Sequence, residues 1–442
     1  MSFKAKFVAI GGKSGIGKTT LINSLIAIYP SIFRRPISYT TRQRREGEDK
    51  SEYIFISTDE IKLLFEQGKL VNLDFNYGNY YAMDKIKLTQ DMKSENLIII
   101  KEIHPQYHNK IKKLAGEDCV SVLVKGLEAD GDIRGRGTED DTFYELHGEE
   151  EFDLVYMYDK NSSKEDNAKD FYRKLMVYIN TAKMFPPARV IDVKNAIGYT
   201  KVADEFTEEK RITTRNFHEV SRDFWTHFIE KLHIGDSVLE LGPGNGWLHN
   251  SFEWPFVNYC CTDITSNMKS VSNTANGIIA SARCIPIKGR SIDCVVASLA
   301  DPYFYPEMLC EVNRILKDEA LFVVTLPDKE WADNLRGADK HETTFLLDEG
   351  KSATVFSFTF SDEEITKLAE ECGFSICQLT HLCGAELRDN EISPAITKAA
   401  ENANKAIDNL NIITVIIAAL SRWKTWRRNY ARGCEPRIRE RR

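Results

Sequence analysis

Short continuous apolar runs alternate along the chain with longer stretches whose apolar residues recur every three to four positions. Phe7 to Ile10 is an unbroken apolar run, and Thr20 through Ile28 after it has helical spacing. The pairing recurs at Phe152 to Tyr158 and then Ser163 to Phe185, where Phe171, Leu175, Tyr178 and Ile179 share one face. Phe185-Pro186-Pro187 breaks that pattern. Thr213 to Leu232 resumes it, with Phe217, Val220, Phe224, Trp225, Phe228 and Leu232 on one face. Strand-like runs follow at Ser237 to Leu241, Tyr259 to Asp263, Ile278 to Ile287, Ser291 to Ser298 and Leu321 to Leu326. Strands alternating with helical stretches predict an α/β chain with parallel sheets. At 442 residues the chain is too long for one ordinary core. The break predicts a first domain over 1–185, a linker over 186–206, a second domain over 207–420 and a tail over 421–442.

Two glycine-rich loops each follow an apolar run. The first, Gly12-Lys13-Ser14-Gly15-Ile16-Gly17-Lys18-Thr19, meets the spacing G-x-x-x-x-G-K-T and opens a helix at Thr20. In such a loop the glycines let successive backbone N–H groups converge on phosphate oxygens, the lysine reaches the outer phosphates and the threonine hydroxyl holds Mg²⁺. The expected ligand is ATP with Mg²⁺, on Gly12, Gly15, Gly17, Lys18, Thr19 and Thr20. Further on, Ser38-Tyr39-Thr40-Thr41-Arg42-Gln43-Arg44-Arg45-Glu46-Gly47-Glu48, then Tyr53, crowds arginines and hydroxyls that suit a second anionic group.

This S-x-T-T-R-x-x-R-x-G-E run, Gly78-Asn79-Tyr80-Tyr81 and Gly135-Arg136-Gly137-Thr138-Glu139 stand in one order over about residues 5 to 180. In that order they resemble guanylate kinase, a P-loop nucleoside monophosphate kinase fold. The resemblance implies an acceptor-monophosphate site on Ser38, Arg42, Arg45, Tyr53 and Tyr81. It also implies a mobile lid carrying Arg136 that closes on the transferring phosphoryl group. An ungapped match places Asn72, Met83 and Glu102 where relatives read guanine, and Asp132 and His147 where they carry lid arginines. Glu102 also serves the metal beside Thr19 in this reading. Met83 offers no hydroxyl, so the expected acceptor is a nucleotide or other small phosphorylated molecule other than GMP.

The second loop, Glu240-Leu241-Gly242-Pro243-Gly244-Asn245-Gly246, is followed by Asp263-Ile264-Thr265 and Met268, then Glu311 to Lys317, then Phe360 to Glu364. Over about residues 207 to 420 this series resembles class I S-adenosylmethionine-dependent methyltransferases, a Rossmann-like fold. The resemblance implies S-adenosylmethionine with its methionine half on Glu240, Gly242, Gly244 and Gly246, its ribose on Asp263, and its adenine beside Met268, Ser281 and Ala282. Asp301-Pro302-Tyr303-Phe304 reads as a loop turn.

Hydrophobic content of 42% and charged content of 28% are globular values, and no stretch approaches the ~20 apolar residues of a membrane span. The N-terminus runs directly into the first strand, which predicts a cytoplasmic protein with no membrane partner. Ten cysteines without a C-x-x-C pair suggest neither a disulfide framework nor a zinc knuckle. Net charge is -7, yet residues 421–442 carry nine Lys/Arg against two Glu, interleaved with Trp423, Trp426 and Tyr430. Such a tail suits contact with nucleic acid, or else rests on the acidic body. The expected activity is a bifunctional transferase, phosphorylating a nucleoside monophosphate-like acceptor and methylating a small molecule or nucleotide. Its rival is a nucleotide-sensing module that regulates a methyltransferase acting on RNA or DNA.

Overall fold

The computed structural model describes the chain apart from residues 1–4, 45–52, 77, 95, 105–106, 127–151, 182–184, 187, 207–209, 234, 256–257, 269–275, 339, 389–390 and 421–442. It divides into two units, Met1–Met184 and Phe185–Arg442.

In the first unit a five-stranded parallel sheet is ordered Phe33–Arg34, Ile98–Glu102, Phe7–Gly11, Cys119–Gly126, Leu154–Tyr158. Its central strand Phe7–Gly11 is buried on both faces, as a continuous apolar run requires. Helices Lys18–Ile28 and Lys164–Thr181 cover one face, where Leu21 and Leu25 join Phe171 and Leu175 in one core. A smaller four-stranded sheet, ordered Ile54–Phe55, Ser38–Thr40, Asn79–Asp84, Leu70–Asn76, carries much of the expected acceptor site.

The second unit has a seven-stranded sheet ordered Gly277–Ile279, Asn258–Asp263, Ser237–Leu241, Ile292–Ala297, Leu316–Pro327, Asn411–Leu420, Phe374–Cys383. The first five strands are parallel, and Asn411–Leu420 runs antiparallel to both of its neighbours. The apolar run near the C-terminus is thus an inner strand, buried from Ile412 to Leu420. Among the described residues no helix is long and apolar enough to cross a membrane.

The expected linker over 186–206 is instead a helix, Ala188–Val202, continued by a 3₁₀ turn at Ala203–Glu205. It packs against the strand Ser352–Phe356 of a two-stranded hairpin whose other strand is Glu342–Leu346. Its buried positions Ala188, Ile191, Asn195, Gly198 and Val202 keep helical spacing, but two of them are not apolar. Val190, Val193 and Ile197 are exposed on the opposite side. The apolar residues therefore fall on both faces, which hides the period.

Candidate active sites

In the first unit the strand Phe7–Gly11 leads directly into the phosphate loop. Gly12 has φ 145°, and a Cβ there would lie 2.4 Å from the Val124 carbonyl oxygen. At Gly17, φ is 105° and a Cβ would lie 2.8 Å from the Tyr158 ring, so angle and space both demand glycine. Gly15 also has positive φ, and Thr20 follows within the helix. Helix Lys18–Ile28 starts at Gly17 with no side-chain cap, which turns its first N–H groups and positive dipole end toward the loop. Lys18 is buried, and its ammonium donates to the carbonyls of Gly12 (2.6 Å) and Lys13 (2.7 Å) and lies 3.3 Å from Glu102 Oε1. Thr19 Oγ1 donates to Glu102 Oε2 at 3.1 Å. Burial would raise the Glu102 carboxyl, but Lys18 and Thr19 hold it below its ordinary range. Cation, hydroxyl and carboxylate thus meet at the uncapped N-terminal end of this helix.

Beside them the Arg42 guanidinium lies 5.1 Å from the Tyr53 ring centre, and Tyr53 meets Tyr81 edge-on at 6.2 Å. Buried Ser38 accepts a hydrogen bond from Lys101, whose ammonium is 5.4 Å from the Tyr53 ring. No local motif in the sequence marks Lys101, a single charge in the strand Ile98–Glu102. Burial, with Arg35 nearby, drags it down to about 7. Asn72 donates to Asp74 Oδ2 at 2.6 Å, and a bulge between Val71 and Asp74 sets Asp74 opposite Tyr81. Burial pushes Asp74 up to about 7, against the pull of Lys110 and Asn72. An ungapped match cannot register a bulge, which is why it points to Asn72, two residues short of this buried carboxyl. Met83 packs in the core with Phe7 and Leu88. Arg45, Arg136, Asp132, His147 and the basic tail lie outside the described residues.

In the second unit a cavity of about 570 Å³ opens at the C-terminal ends of the parallel strands. It lies where strand order reverses, the usual ligand position in open α/β sheets. Glu240, Gly242, Pro243, Gly244, Asn245, Asp263, Met268 and Ala282 line it. Gly246 instead caps the helix Trp247–Ser251 from the left-handed region. Gly242 has φ 59°, and a Cβ there would lie 2.4 Å from the Tyr303 hydroxyl, which donates to the Leu241 carbonyl at 2.6 Å. The Asp301-Pro302-Tyr303 turn is thus a turn, as expected, and also a cavity wall. Asp263 accepts the Thr265 N–H at 3.1 Å. Floor, glycine backbone and acid fit an adenosyl ligand carrying an amino-acid end.

The Ser281 hydroxyl donates to Asp192 Oδ2 at 2.8 Å and accepts the Arg283 N–H at 3.2 Å, and Ala280 and Ala282 on either side of it line the cavity. The Glu311-x-x-Arg314 motif fixes the segment that follows. Arg314 and Glu311 form a buried two-point pair (2.8 and 3.0 Å), Glu311 accepts the Ile285 N–H, and Arg314 donates to the carbonyls of Ile285 and Ile287.

Burial pushes three cavity carboxyls upward: Glu240 to about 7, Asp263 to about 6 and Asp301 to about 6. Each folded pKa exceeds the unfolded value near ~4, so the stability each contributes is complete below that value and is lost as pH rises through about 6 to 7. Melting curves of the ligand-free chain are expected to show the second unit more stable at pH 5.5 than at pH 8. Glu240→Gln should shrink that difference by on the order of 2 kcal/mol. A slope unchanged by the variant would contradict the assignment.

The guanylate kinase family model matches residues 4–146, and a methyltransferase-domain model matches residues 239–324. The guanylate kinase of Aromatoleum aromaticum is 34% identical over 138 residues, covering 30% of this chain and 66% of that protein. That of Cupriavidus metallidurans is 30% identical over 151 residues, covering 29% and 69%. The chain thus spans about two thirds of the length of these relatives. A solved S-adenosylmethionine-dependent methyltransferase from Aquifex aeolicus is similar at 13% identity, with a TM-score of 0.31, over 50% of this chain and 98% of its own. The chain belongs to the guanylate kinase family through its first unit and carries a methyltransferase domain in its second.

Proposed function

We propose that the chain is a two-site transferase. The first unit moves the terminal phosphoryl group of ATP, with Mg²⁺, to a nucleoside monophosphate or related phosphate ester. The second methylates a small molecule with S-adenosylmethionine. The observation that carries the first half is the convergence of Lys18, Thr19 and Glu102 on the uncapped end of helix Lys18–Ile28. In this reading Lys18 leaves its loop carbonyls to neutralise the outer phosphates, while Thr19 and Glu102 hold the metal. Phosphoryl transfer asks the protein for positioning and charge rather than covalent help, so these groups with Arg42 on the acceptor phosphate suffice in kind.

The acceptor's base would lie between Lys101, a donor, and Asp74, an acceptor when ionised. That pairing suits a base presenting a carbonyl beside an N–H. It offsets the missing hydroxyl at Met83 and reopens GMP as a candidate, contrary to the expectation from sequence. In a coupled assay with ATP, Mg²⁺ and a panel of nucleoside monophosphates, bases with that edge are expected to be turned over first. Lys101→Met should lower kcat/KM for them by ~1 to 3 kcal/mol, roughly five- to 150-fold. Equal loss for every acceptor would show that Lys101 does not read the base.

For the second half the reading rests on the cavity floored by Gly242 and Gly244, with Asp263 beside it. The cofactor supplies an electrophilic methyl group when bound. The protein's share is alignment and exclusion of water, with Glu240 and Asp263 orienting the amino-acid and ribose ends. S-adenosylhomocysteine is expected to bind the full chain in calorimetry, and NAD is not. The reverse outcome would replace the methyltransferase reading with a dehydrogenase one.

A further inference from the structure

His381 stands on the edge strand Phe374–Cys383, between two carboxylates that come from two other elements. Its Nδ1 lies 2.6 Å from Asp328 Oδ2, and its Nε2 lies 3.2 Å from Asp362 Oδ1 and 3.3 Å from Oδ2. Asp328 is buried, accepts the Thr414 hydroxyl on the same Oδ2 (2.7 Å), and caps helix Lys329–Arg336 through Oδ1, which accepts the Glu330 N–H at 2.8 Å. Asp362 opens helix Asp362–Glu371 and is exposed. Ionised carboxylates only accept, and a neutral imidazole carries one N–H. Bonds from both ring nitrogens therefore require the imidazolium. The other charged groups on the elements around the ring are engaged elsewhere or exposed: Lys329 pairs with Asp333, Glu330 with Lys405 and Arg388 with Asp223, Glu364 accepts the Ser361 N–H, and Glu363 and Asp408 face water. Strand Asn411–Leu420, next to His381, carries no charged residue.

We propose that His381 is a proton-operated tie between two segments that leave the cavity wall, closed on both when it is imidazolium and released from Asp362 when it is neutral. One segment is the turn at Pro327-Asp328 into helix Lys329–Arg336, which gives the wall Pro327, Trp331 and Leu335; the other runs from Ser357, also in the wall, to Asp362. When the ring loses a proton, its remaining N–H stays on Asp328, because that buried carboxylate has little water to replace it. The lone pair on Nε2 then faces Asp362, and the carboxylate is repelled into the solvent that already reaches it. Release frees the entry to helix Asp362–Glu371, and with it the Ser357 end of the wall. Burial lowers the proton affinity of the ring, but Asp328 and then Asp362 outweigh it and hold the imidazole above its ordinary value. A group raised in this way contributes stability that is complete below its unfolded value near ~6.5 and is lost as pH rises through the folded one. The tie is closed in mild acid and opens toward alkaline pH. It uses no ligand of the cavity, so it stands apart from the methyltransferase reading.

Two measurements on the full chain test it. In ¹⁵N NMR of the histidine rings, with His381→Gln to assign the signals, both nitrogens of His381 are expected to be protonated at pH 6, and Asp362→Asn should move the titration to lower pH. One unprotonated ring nitrogen at pH 6 would overturn the proposal. Hydrogen exchange read by mass spectrometry, corrected for the intrinsic pH dependence of amide exchange, follows the release itself. Between pH 6 and pH 9, peptides over residues 357–371 should lose roughly two- to fivefold more protection in the wild-type chain than in Asp362→Asn, the range expected of a partly exposed ion pair. The variant keeps Glu240, Asp263 and Asp301, so their titration cancels in the comparison. Because Asp362 is exposed, its replacement leaves the fold intact. An equal pH-dependent loss in the two chains would reduce His381 to a surface contact and overturn the tie.

Discussion

Lys18→Met is expected to lower phosphoryl transfer by the first unit roughly 10²- to 10³-fold, the usual loss when one preorganised charge partner of a transferring group is removed. The variant keeps the aliphatic stem, so the packing of this buried side chain beside Gly12 survives. What it removes is the ammonium, now shared among the Gly12 and Lys13 carbonyls and Glu102. In the ligand-free chain the Lys13 carbonyl and Glu102 belong to exposed residues that water can serve, whereas the buried Gly12 carbonyl loses its donor, so the melting temperature should fall by a few degrees. The charge lost is felt when phosphates take their place. Affinity for ATP with Mg²⁺ should fall in calorimetry, and kcat should fall further, because charge on the transferring oxygens grows toward the transition state. Thr19→Val would separate the metal's share, since it deletes the hydroxyl that faces Glu102 while keeping the shape. Transfer by Lys18→Met within threefold of wild type would remove this loop from the reaction.

Both glycine loops were legible because their requirements are local: a strand, then backbone angles that only glycine tolerates, then a helix start. The loop residues Gly12, Gly17 and Gly242 carry that information in five or six consecutive positions. The residues the sequence hid depend on long-range placement. Lys101 reads as one charge interrupting an apolar strand, and nothing near it in sequence announces Ser38, 63 positions away. Asp74 was obscured by the bulge beside it. Asp192 was lost with its helix, whose buried face is built on Asn195 and Gly198 as well as on apolar residues. Gly198 is there for contact: a Cβ on it would lie 2.4 Å from Val355 of the hairpin strand, so helix and strand approach closer than any larger residue allows. The signal was present in the spacing of positions 188, 191, 195, 198 and 202, but only for a reader willing to place a polar and a small residue on an inner face.

That helix carries the last expectation. A fragment beginning at Thr207 should neither fold stably nor bind S-adenosylhomocysteine, whereas one beginning at Phe185 should do both. Deleting the helix removes Asp192 and leaves the Arg283 guanidinium, 5% exposed, without its carboxylate. Stranding one partner of a buried ion pair costs about 3 to 5 kcal/mol. Asn195 is lost with it, and its amide both donates to the Pro302 carbonyl (2.5 Å) and accepts the Phe356 N–H (2.8 Å), joining the cavity turn to the hairpin. Those two backbone groups become unpaired in the interior, at ~1 to 3 kcal/mol each where water cannot reach them. Against a total stability of about 5 to 15 kcal/mol for an ordinary domain, the sum exhausts most or all of what the fragment has. Circular dichroism melts and calorimetry on the two fragments would measure both consequences side by side. A shorter fragment that melts cooperatively and binds as tightly as the longer one would make the helix a spacer after all, and would leave Gly198 and Asn195 without a purpose in this fold.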